Sequence, residues 1–386
     1  LMILLLPRST ALYSSADSYL YKRERDQWPL EGFTAGIGVL WPRDPENRIP
    51  AMLRDSSPRV RLMAGIVCGK LKSTNALTAL EELIVSAENK DPILRHAGVM
   101  GLVGVATLRQ LEDFVDHPSE AMRIAAVIAL RRLGSIKELT KFIKDDSPQV
   151  MSDAVRAIYD EAQTQTFLDH PKSLSVIAEA LNPQHPPPVN VRAIAANRRL
   201  GTIVSAKRIS TFLANPNLSH NIRIQGLYAL ESWSKASRLD PIDGRYFPVI
   251  AGDMAALKEA IGPEIWALAN DADNNISRQA IAILQSINPD RAKLNQVSDL
   301  ILDETQRSDL RKRWLRWLRR WDSILFTSVG TQVLNSISPE LRAVAAEELS
   351  EARLGGSAVN NYLLATLNNS SDTVELQRVI KMIPRL

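Results

Sequence analysis

The chain has 386 residues, 45% hydrophobic and 23% charged, a composition that belongs to a folded protein and excludes disorder as its default state. Its one cysteine, Cys68, excludes internal disulfides, a Cys-rich zinc site and the C-x-x-C-H attachment of c-type haem. The formal charge of +4 is local: Arg307–Asp322 carries +5 and leaves the remaining chain near −1, so no extended phosphate-binding field is expected.

The chain opens on "LMILLLPRS", which is apolar but far shorter than the roughly 20 residues of a membrane-spanning helix. Lacking a basic n-region, it does not read as a signal peptide. Residues 1–50 carry Tyr13, Tyr19, Tyr21, Trp28, Phe33 and Trp41 without a repeating pattern. They are expected to cap the next helices by covering an otherwise exposed apolar face, or to be the remnant of an upstream domain.

From residue 51 a loop-to-helix signature recurs. It reads "RDSSPRVRLMAGIV" from Arg54, "NKDPILRHAGVMGL" from Asn89, "VDHPSEAMRIAAVIAL" from Val115 and "KDDSPQVMSDAVRAI" from Lys144. It returns as "HPPPVNVRAIAANRRL" from His185 and "NPNLSHNIRIQGLYAL" from Asn215, then more degenerately from Asn270 and Ser336. Asp, Asn or Ser caps the free N–H groups of a helix start, and proline suits the first turn because its missing donor costs nothing there. The alanine that comes next lets a neighbouring helix approach closely. Arg61, Arg95, Arg123, Arg192, Arg223, Arg278 and Arg342 hold equivalent places and are expected to bond to the next repeat's loop as an internal ladder.

Between signatures lie second amphipathic segments such as "TALEELIV", "SIKELTKFI" and "LSVIAEAL". Two helices per period of roughly 30 residues predict an all-α fold, a HEAT-like α-solenoid of stacked antiparallel helix pairs. The expected organisation is repeats over 51–231, an inserted loop over 232–262 where "SWSKASRLDPIDGRYFPVIAGD" breaks the rhythm, and more degenerate repeats over 263–386.

The segments "DPILRHAGVMGL", "MRIAAVIALRRLG", "DDSPQVMSDAVRAIYD", "VRAIAANRRLG" and "LESWSKASRLDPIDGRYFPV" resemble the helical-repeat region of exported PVC-type haem-binding proteins. These are also called membrane-bound-dehydrogenase-like or sorbosone-dehydrogenase-like proteins. The last segment is the most specific, with a Trp-containing turn and a D-x-x-x-G-x-x-x-P-like loop. The resemblance spans roughly Ala51 to Leu386 and is strongest from Asp91 to Pro248. It implies a connector or docking surface between a quinoprotein-like β-propeller and a cytochrome-c-like domain, in the periplasm. Neither of those domains is in this sequence, so no redox chemistry, haem or other cofactor passes to any of its residues. A disulfide-free chain is compatible with cytosol as well as periplasm.

Candidate sites are few. His96, His117, His170, His185 and His220 are scattered without metal-ligand spacing, and Cys68 sits among small apolar residues with no histidine to activate it. Asp145/Asp146 and Glu81/Glu82 read as a helix cap and a solvated face, and "RLGG" before Ser357 as a helix C-cap. The stretch "RKRWLRWLRRW" from Arg311 is the one crowded place. At 100° per residue, Leu310, Trp314, Trp317, Leu318 and Trp321 fall on one face and Lys312, Arg313, Arg316, Arg319 and Arg320 on the other. The tryptophans are therefore expected in the core, and the five basic residues form a candidate docking ridge.

The expected function is a non-catalytic scaffold that binds a protein partner or carries attached domains. The alternative is a HEAT-like nucleic-acid-binding or DNA-glycosylase-type protein using the basic helix. A lyase or hydroxylase of phycobilin-type substrates on the same repeats would need histidine–glutamate clusters that this sequence lacks.

Overall fold

The computed structural model describes residues 45–161, 170–242, 244 and 246–383. The expected N-terminal cap of residues 1–50 falls outside them up to residue 44. The chain forms two compact units, one ending at Thr107 and the other running from Leu108 to Leu386.

The first unit contains α1 (Pro45–Ala51), α2 (Pro58–Leu71), α3 (Leu77–Ala87) and α4 (Pro92–Val105). Asp91 shows how a signature starts a helix: its Oδ1 accepts from Ile93 N at 2.9 Å and Leu94 N at 3.1 Å, with Pro92 in the first turn. Helices α2 and α4 meet backbone to backbone. A Cβ added at Gly69 would fall on the Met100 carbonyl, and one at Gly104 on the Gly69 carbonyl. The runs "AGIVCG" and "AGVMGLVG" are thus a contact between two smooth helix faces. Cys68 is buried in this unit, and burial pushes its thiol up to about 11, so it stays protonated and unreactive.

A Gly69→Ala chain is expected to lose about 1–3 kcal/mol, because the carbonyl it strikes is backbone and cannot rotate aside. Urea unfolding should show a lower midpoint at unchanged slope. An unchanged midpoint would mean that the two helices do not touch there.

The second unit begins with α5 (Leu108–Asp113), α6 (Glu120–Leu133), α7 (Ile136–Leu139) and α8 (Pro148–Glu161). It continues through α9 (His170–Glu179), α10 (Pro187–Leu200), α11 (Ile203–Leu213) and α12 (His220–Glu231). After the insertion come α13 (Met254–Ala260), α14 (Pro263–Ala269), α15 (Asn274–Leu284), α16 (Arg291–Leu302) and α17 (Ser308–Trp321). The last helices are α18 (Ser323–Val333), α19 (Pro339–Glu351), α20 (Gly356–Asn369) and α21 (Thr373–Met382).

The signature helices α6, α8, α10, α12, α15, α17, α19 and α21 stack in sequence order as one layer, and the helices between them form a second. This is the all-α solenoid of helix pairs that the period predicts. The "RLGG" stretch closes α19: Arg353 and Gly355 both adopt positive φ, and Leu354 N bonds back to Leu349 O at 2.9 Å.

Among the described residues, the signature arginines Arg123, Arg223 and Arg342 reach the next repeat. Arg123 binds Asp145 through Nε at 2.8 Å, and Arg223 binds Asp271 at 2.6 Å across the insertion. Arg342 grips Glu375 with two bonds of 2.8 Å. Burial alone would raise the Glu375 carboxyl. Hydrogen bonds from Arg342, Ser370 and Tyr362 outweigh it and hold the group below its ordinary value. Arg192 bonds the Pro188 carbonyl and Arg278 bonds Asn275, each at its own helix start. Arg95 is half-buried, and Arg61 buries its Nε without a hydrogen-bond partner among the described residues.

The insertion over 232–262 is more ordered than a loop. It contains an antiparallel hairpin of β1 (Ser237–Leu239) and β2 (Tyr246–Val249), then α13. The strands are three and four residues long, too short for an alternating pattern to register in sequence.

Candidate functional site

Two places in the second unit gather polar and aromatic side chains: the root of the hairpin and helix α17.

At the hairpin root, "ANRRLG" ends α10 with two arginines that are both buried. Arg198 donates to the Ser232 carbonyl at 2.8 Å, the Lys235 carbonyl at 2.7 Å and the Ile250 carbonyl at 3.1 Å. It therefore binds the chain on both sides of the hairpin, and its guanidinium lies 5.6 Å over the Trp233 ring. Burial pulls this guanidinium below its ordinary value. Trp233 is itself fully buried, donating from Nε1 to the Asp253 carbonyl at 3.1 Å and accepting at its own carbonyl from Gly252 N at 2.7 Å. Gly252 has no room for a Cβ against the indole.

Arg199 points the other way, onto Asp240, which is 2% exposed. The same carboxylate accepts from Tyr159 Oη at 2.7 Å and from Ile242 N at 2.7 Å. The Asp240 carbonyl accepts from Gly244 N at 3.0 Å, and Gly244 sits at φ +70°, where a side chain would be strained. The D-x-x-x-G spacing is thus a turn that carries a carboxylate down into the helices. What the turn leaves outside is apolar: Leu239 faces Tyr246 across the strands, and Tyr246 and Ile250 are 73% and 71% exposed. Arg238 beside them is exposed too.

Helix α17 carries the basic stretch. Trp314 and Trp317 are fully buried, and Trp321 is half-buried. Trp314 stacks on Trp266 at 5.9 Å and donates from Nε1 to Asn270 at 3.0 Å. Trp317 meets Trp314 edge-on at 5.5 Å and Trp266 at 5.7 Å. The Nε1 groups of Trp317 and Trp321 are buried without a hydrogen-bond partner among the described residues. Packing area outweighs that desolvation cost of about 1–3 kcal/mol each.

The five residues of the expected ridge are present on one side of the helix, and four of them are already engaged. Lys312 pairs with Glu340 at 2.6 Å, Arg316 with Glu348 at 2.7 Å, and Arg319 with Glu348 at 2.6 Å and Glu351 at 3.1 Å. Arg313 pairs with Asp309 and reaches Ser277 at 2.6 Å and Asn274 at 2.9 Å. Arg320 lies over the Trp321 ring at 5.5 Å. The basic residues tie α17 to α15 on one side and α19 on the other. Exposed pairs of this kind add about 0–1 kcal/mol each and chiefly cancel charge.

Arg311, outside the expected ridge, is the buried member of the stretch at 2% exposure. It donates to the Ile301 carbonyl at 2.7 Å and to Glu304. The hydrogen bond from Arg311 holds the Glu304 carboxyl below its ordinary value despite partial burial.

Four of the five histidines have partners; the side chain of His170 lies outside the described ones. His117 Nδ1 accepts from Ser119 N at 3.0 Å, His185 Nδ1 bonds the Ala180 carbonyl at 2.8 Å, and His220 meets Asp273 at 2.7 Å. His96 is likewise engaged. Asp145 takes Arg123 and the Ser147 N–H, and Glu82 takes Arg54 at 2.6 Å. No three His, Cys, Asp or Glu side chains converge as metal ligands among the described residues. Two open grooves cross the second unit. One of about 470 Å³ is lined by Glu120, Ser147 and Pro148, and one of about 740 Å³ by Ile203, Val204, Lys207 and Phe212. Neither is lined by histidine or cysteine. No helix among the described residues is long and apolar enough to cross a membrane.

No protein-family model matches the chain, and no curated protein matches it. Among solved structures it is similar to a designed armadillo repeat protein in complex with the peptide (KR)4, at 17% identity and a TM-score of 0.32. That match covers 62% of this chain and 98% of the other. A second designed armadillo repeat protein matches at 16% identity over the same shares, with a TM-score of 0.28. The full-length AP-3 complex in an intermediate open conformation matches at 12% identity over 84% of this chain and 71% of the other, with a TM-score of 0.31. Likeness this loose says nothing about what the chain binds.

Proposed function

We propose that the chain is a non-catalytic helical-repeat scaffold that holds a protein partner or attached domains, with the hairpin of the insertion as its contact point. The observation that carries this reading is the contrast within one segment. Its root is locked by Arg198, Arg199, Trp233 and Asp240, while Leu239, Tyr246 and Ile250 stand in solvent. Exposed apolar side chains on a locked turn favour a contact with another protein, because little ordering entropy remains to be lost on binding. The resemblance of this same segment to the PVC-type haem-binding proteins supports a finer proposal: the repeat portion of a larger exported, dehydrogenase-like protein. On that proposal the compartment is the periplasm. The redox chemistry would belong to domains other than these repeats.

The nucleic-acid reading is the weaker one, because Glu340, Glu348, Glu351 and Asp309 already neutralise the basic helix. The two readings separate in one pair of variants. A protein captured by the purified chain should be lost with Leu239→Ser/Tyr246→Ser and retained with Arg316→Glu/Arg320→Glu, at equal melting temperature. The chain should show no saturable duplex-DNA binding. The reverse pattern, with steeply salt-dependent DNA binding lost on charge reversal, overturns the proposal, as does stoichiometric haem or quinone binding by the chain itself.

A further inference from the structure

The inserted hairpin sorts its charges by direction. Asp240 turns into the helices, where it meets Arg199 and Tyr159 Oη. Asp253, at the foot, accepts through Oδ1 from Ala255 N at 2.8 Å and starts α13. The bases point the other way. Lys235 is exposed and loosely held, 3.7 Å from Glu231. Arg238, the middle residue of β1, is exposed and makes no hydrogen bond or ion pair among the described residues. Asp243 and Arg245 at the tip have side chains outside the described ones, and their formal charges are opposite.

Arg238 stands beside the apolar side chains of the hairpin. It precedes Leu239 in β1, and Leu239 pairs with Tyr246 across the two strands. Every residue of β1 is exposed, so the helices cover neither face of this strand. Successive residues of a strand are only about 3.3 Å apart, and the arginine stem is long and flexible. The guanidinium therefore stands at the rim of any contact that buries Leu239 and Tyr246. At such a rim a carboxylate is attracted and a second cation repelled.

We infer that the hairpin takes an acidic partner segment, which sets apolar side chains on Leu239 and Tyr246 and an Asp or Glu carboxylate on Arg238. This rests on the hairpin as the contact point. A carboxylate matches the guanidinium fork with two parallel hydrogen bonds, and Tyr and Arg are residue types on which binding energy concentrates. A second copy of this chain is the wrong occupant. Hairpin against hairpin would set Arg238 against Arg238, and the described carboxylates nearby, Asp240 and Asp253, are already engaged. A protein segment is favoured over a nucleic acid because its side chains also cover Leu239 and Tyr246.

Two capped peptides test this against the full chain, one alternating glutamate with phenylalanine and leucine, the other with lysine in place of glutamate. The readout is the NMR shift of the Arg238, Leu239 and Ile250 amides. The glutamate peptide should shift them saturably, at least about tenfold more tightly than the lysine peptide, and more weakly as salt rises. Arg238→Glu should invert that preference at unchanged melting temperature, because the side chain bonds nothing among the described residues. Tyr246→Ser should weaken both peptides alike. Equal binding of the two, or a preference indifferent to Arg238→Glu, overturns the acidic partner and leaves the hairpin as the contact point. Binding of neither peptide at these amides overturns both readings. An oligothymidine that shifts the same amides more tightly than the glutamate peptide would make phosphate the acceptor and overturn the inference as well.

Discussion

Replacing Asp240 with alanine is expected to cost the chain about 3–5 kcal/mol of stability, a large share of what a domain commonly has. The substitution removes the carboxylate that accepts from Arg199, from Tyr159 Oη and from Ile242 N. It also leaves the Arg199 guanidinium against the Tyr159 ring, 5.3 Å from its centroid, without its carboxylate in a place that water does not reach. Stranding one buried charge is worse than removing both. An Arg199→Met/Asp240→Leu chain should therefore recover most of the loss, and the non-additivity is the signature of the pair. Asp240→Asn, which preserves shape and the bond to Ile242 but not the charge, should fall between. Urea midpoints at constant slope measure all three. A loss below about 1 kcal/mol for alanine would place the carboxylate in solvent and detach the hairpin from the helices.

The second large effect is expected at Trp317. Truncation to alanine should cost about 3–5 kcal/mol, because the side chain is fully enclosed by Trp266, Trp314 and Trp321 and its removal leaves an aromatic-sized void. Arg320→Ala, one turn away on the exposed side, should change stability by no more than about 0.5 kcal/mol. The contrast distinguishes a repeat helix from an aromatic platform for bases. A platform tryptophan would lower ligand affinity on truncation and leave stability nearly untouched.

The repeat was readable because it is a local pattern: a capping residue, a proline and an apolar stripe lie within fifteen residues of one another. The faces of α17 were readable for the same reason, although the buried arc is wider than the stripe of Leu310, Trp314, Trp317, Leu318 and Trp321. Leu315 and Arg311 join it because a helix in the signature layer has neighbours on both sides as well as a partner beneath. Arg311 escaped notice among five other basic residues, since nothing local separates an arginine bonded to Ile301 and Glu304 from one bonded across the surface.

The hairpin root was hidden by sequence distance. Arg198 finds its carbonyl partners 34, 37 and 52 residues onward, and Asp240 finds Tyr159 81 residues back. Its signals were two adjacent arginines just before a C-cap glycine and an aspartate four residues before another glycine. Each has an ordinary local meaning, and only the fold joins them.

The rigidity of the inserted hairpin is the claim on which the scaffold reading depends, and native-state hydrogen exchange measures it most directly. The amides of Ile242, Gly244 and Gly252, which donate to Asp240 Oδ1, the Asp240 carbonyl and the Trp233 carbonyl, should be protected nearly as strongly as those of α10. In the Asp240→Ala chain the protection of Ile242 and Gly244 should collapse by more than that of the helices. Exchange of these amides at unprotected-loop rates in the wild type would contradict the account, because a mobile hairpin offers no built contact surface.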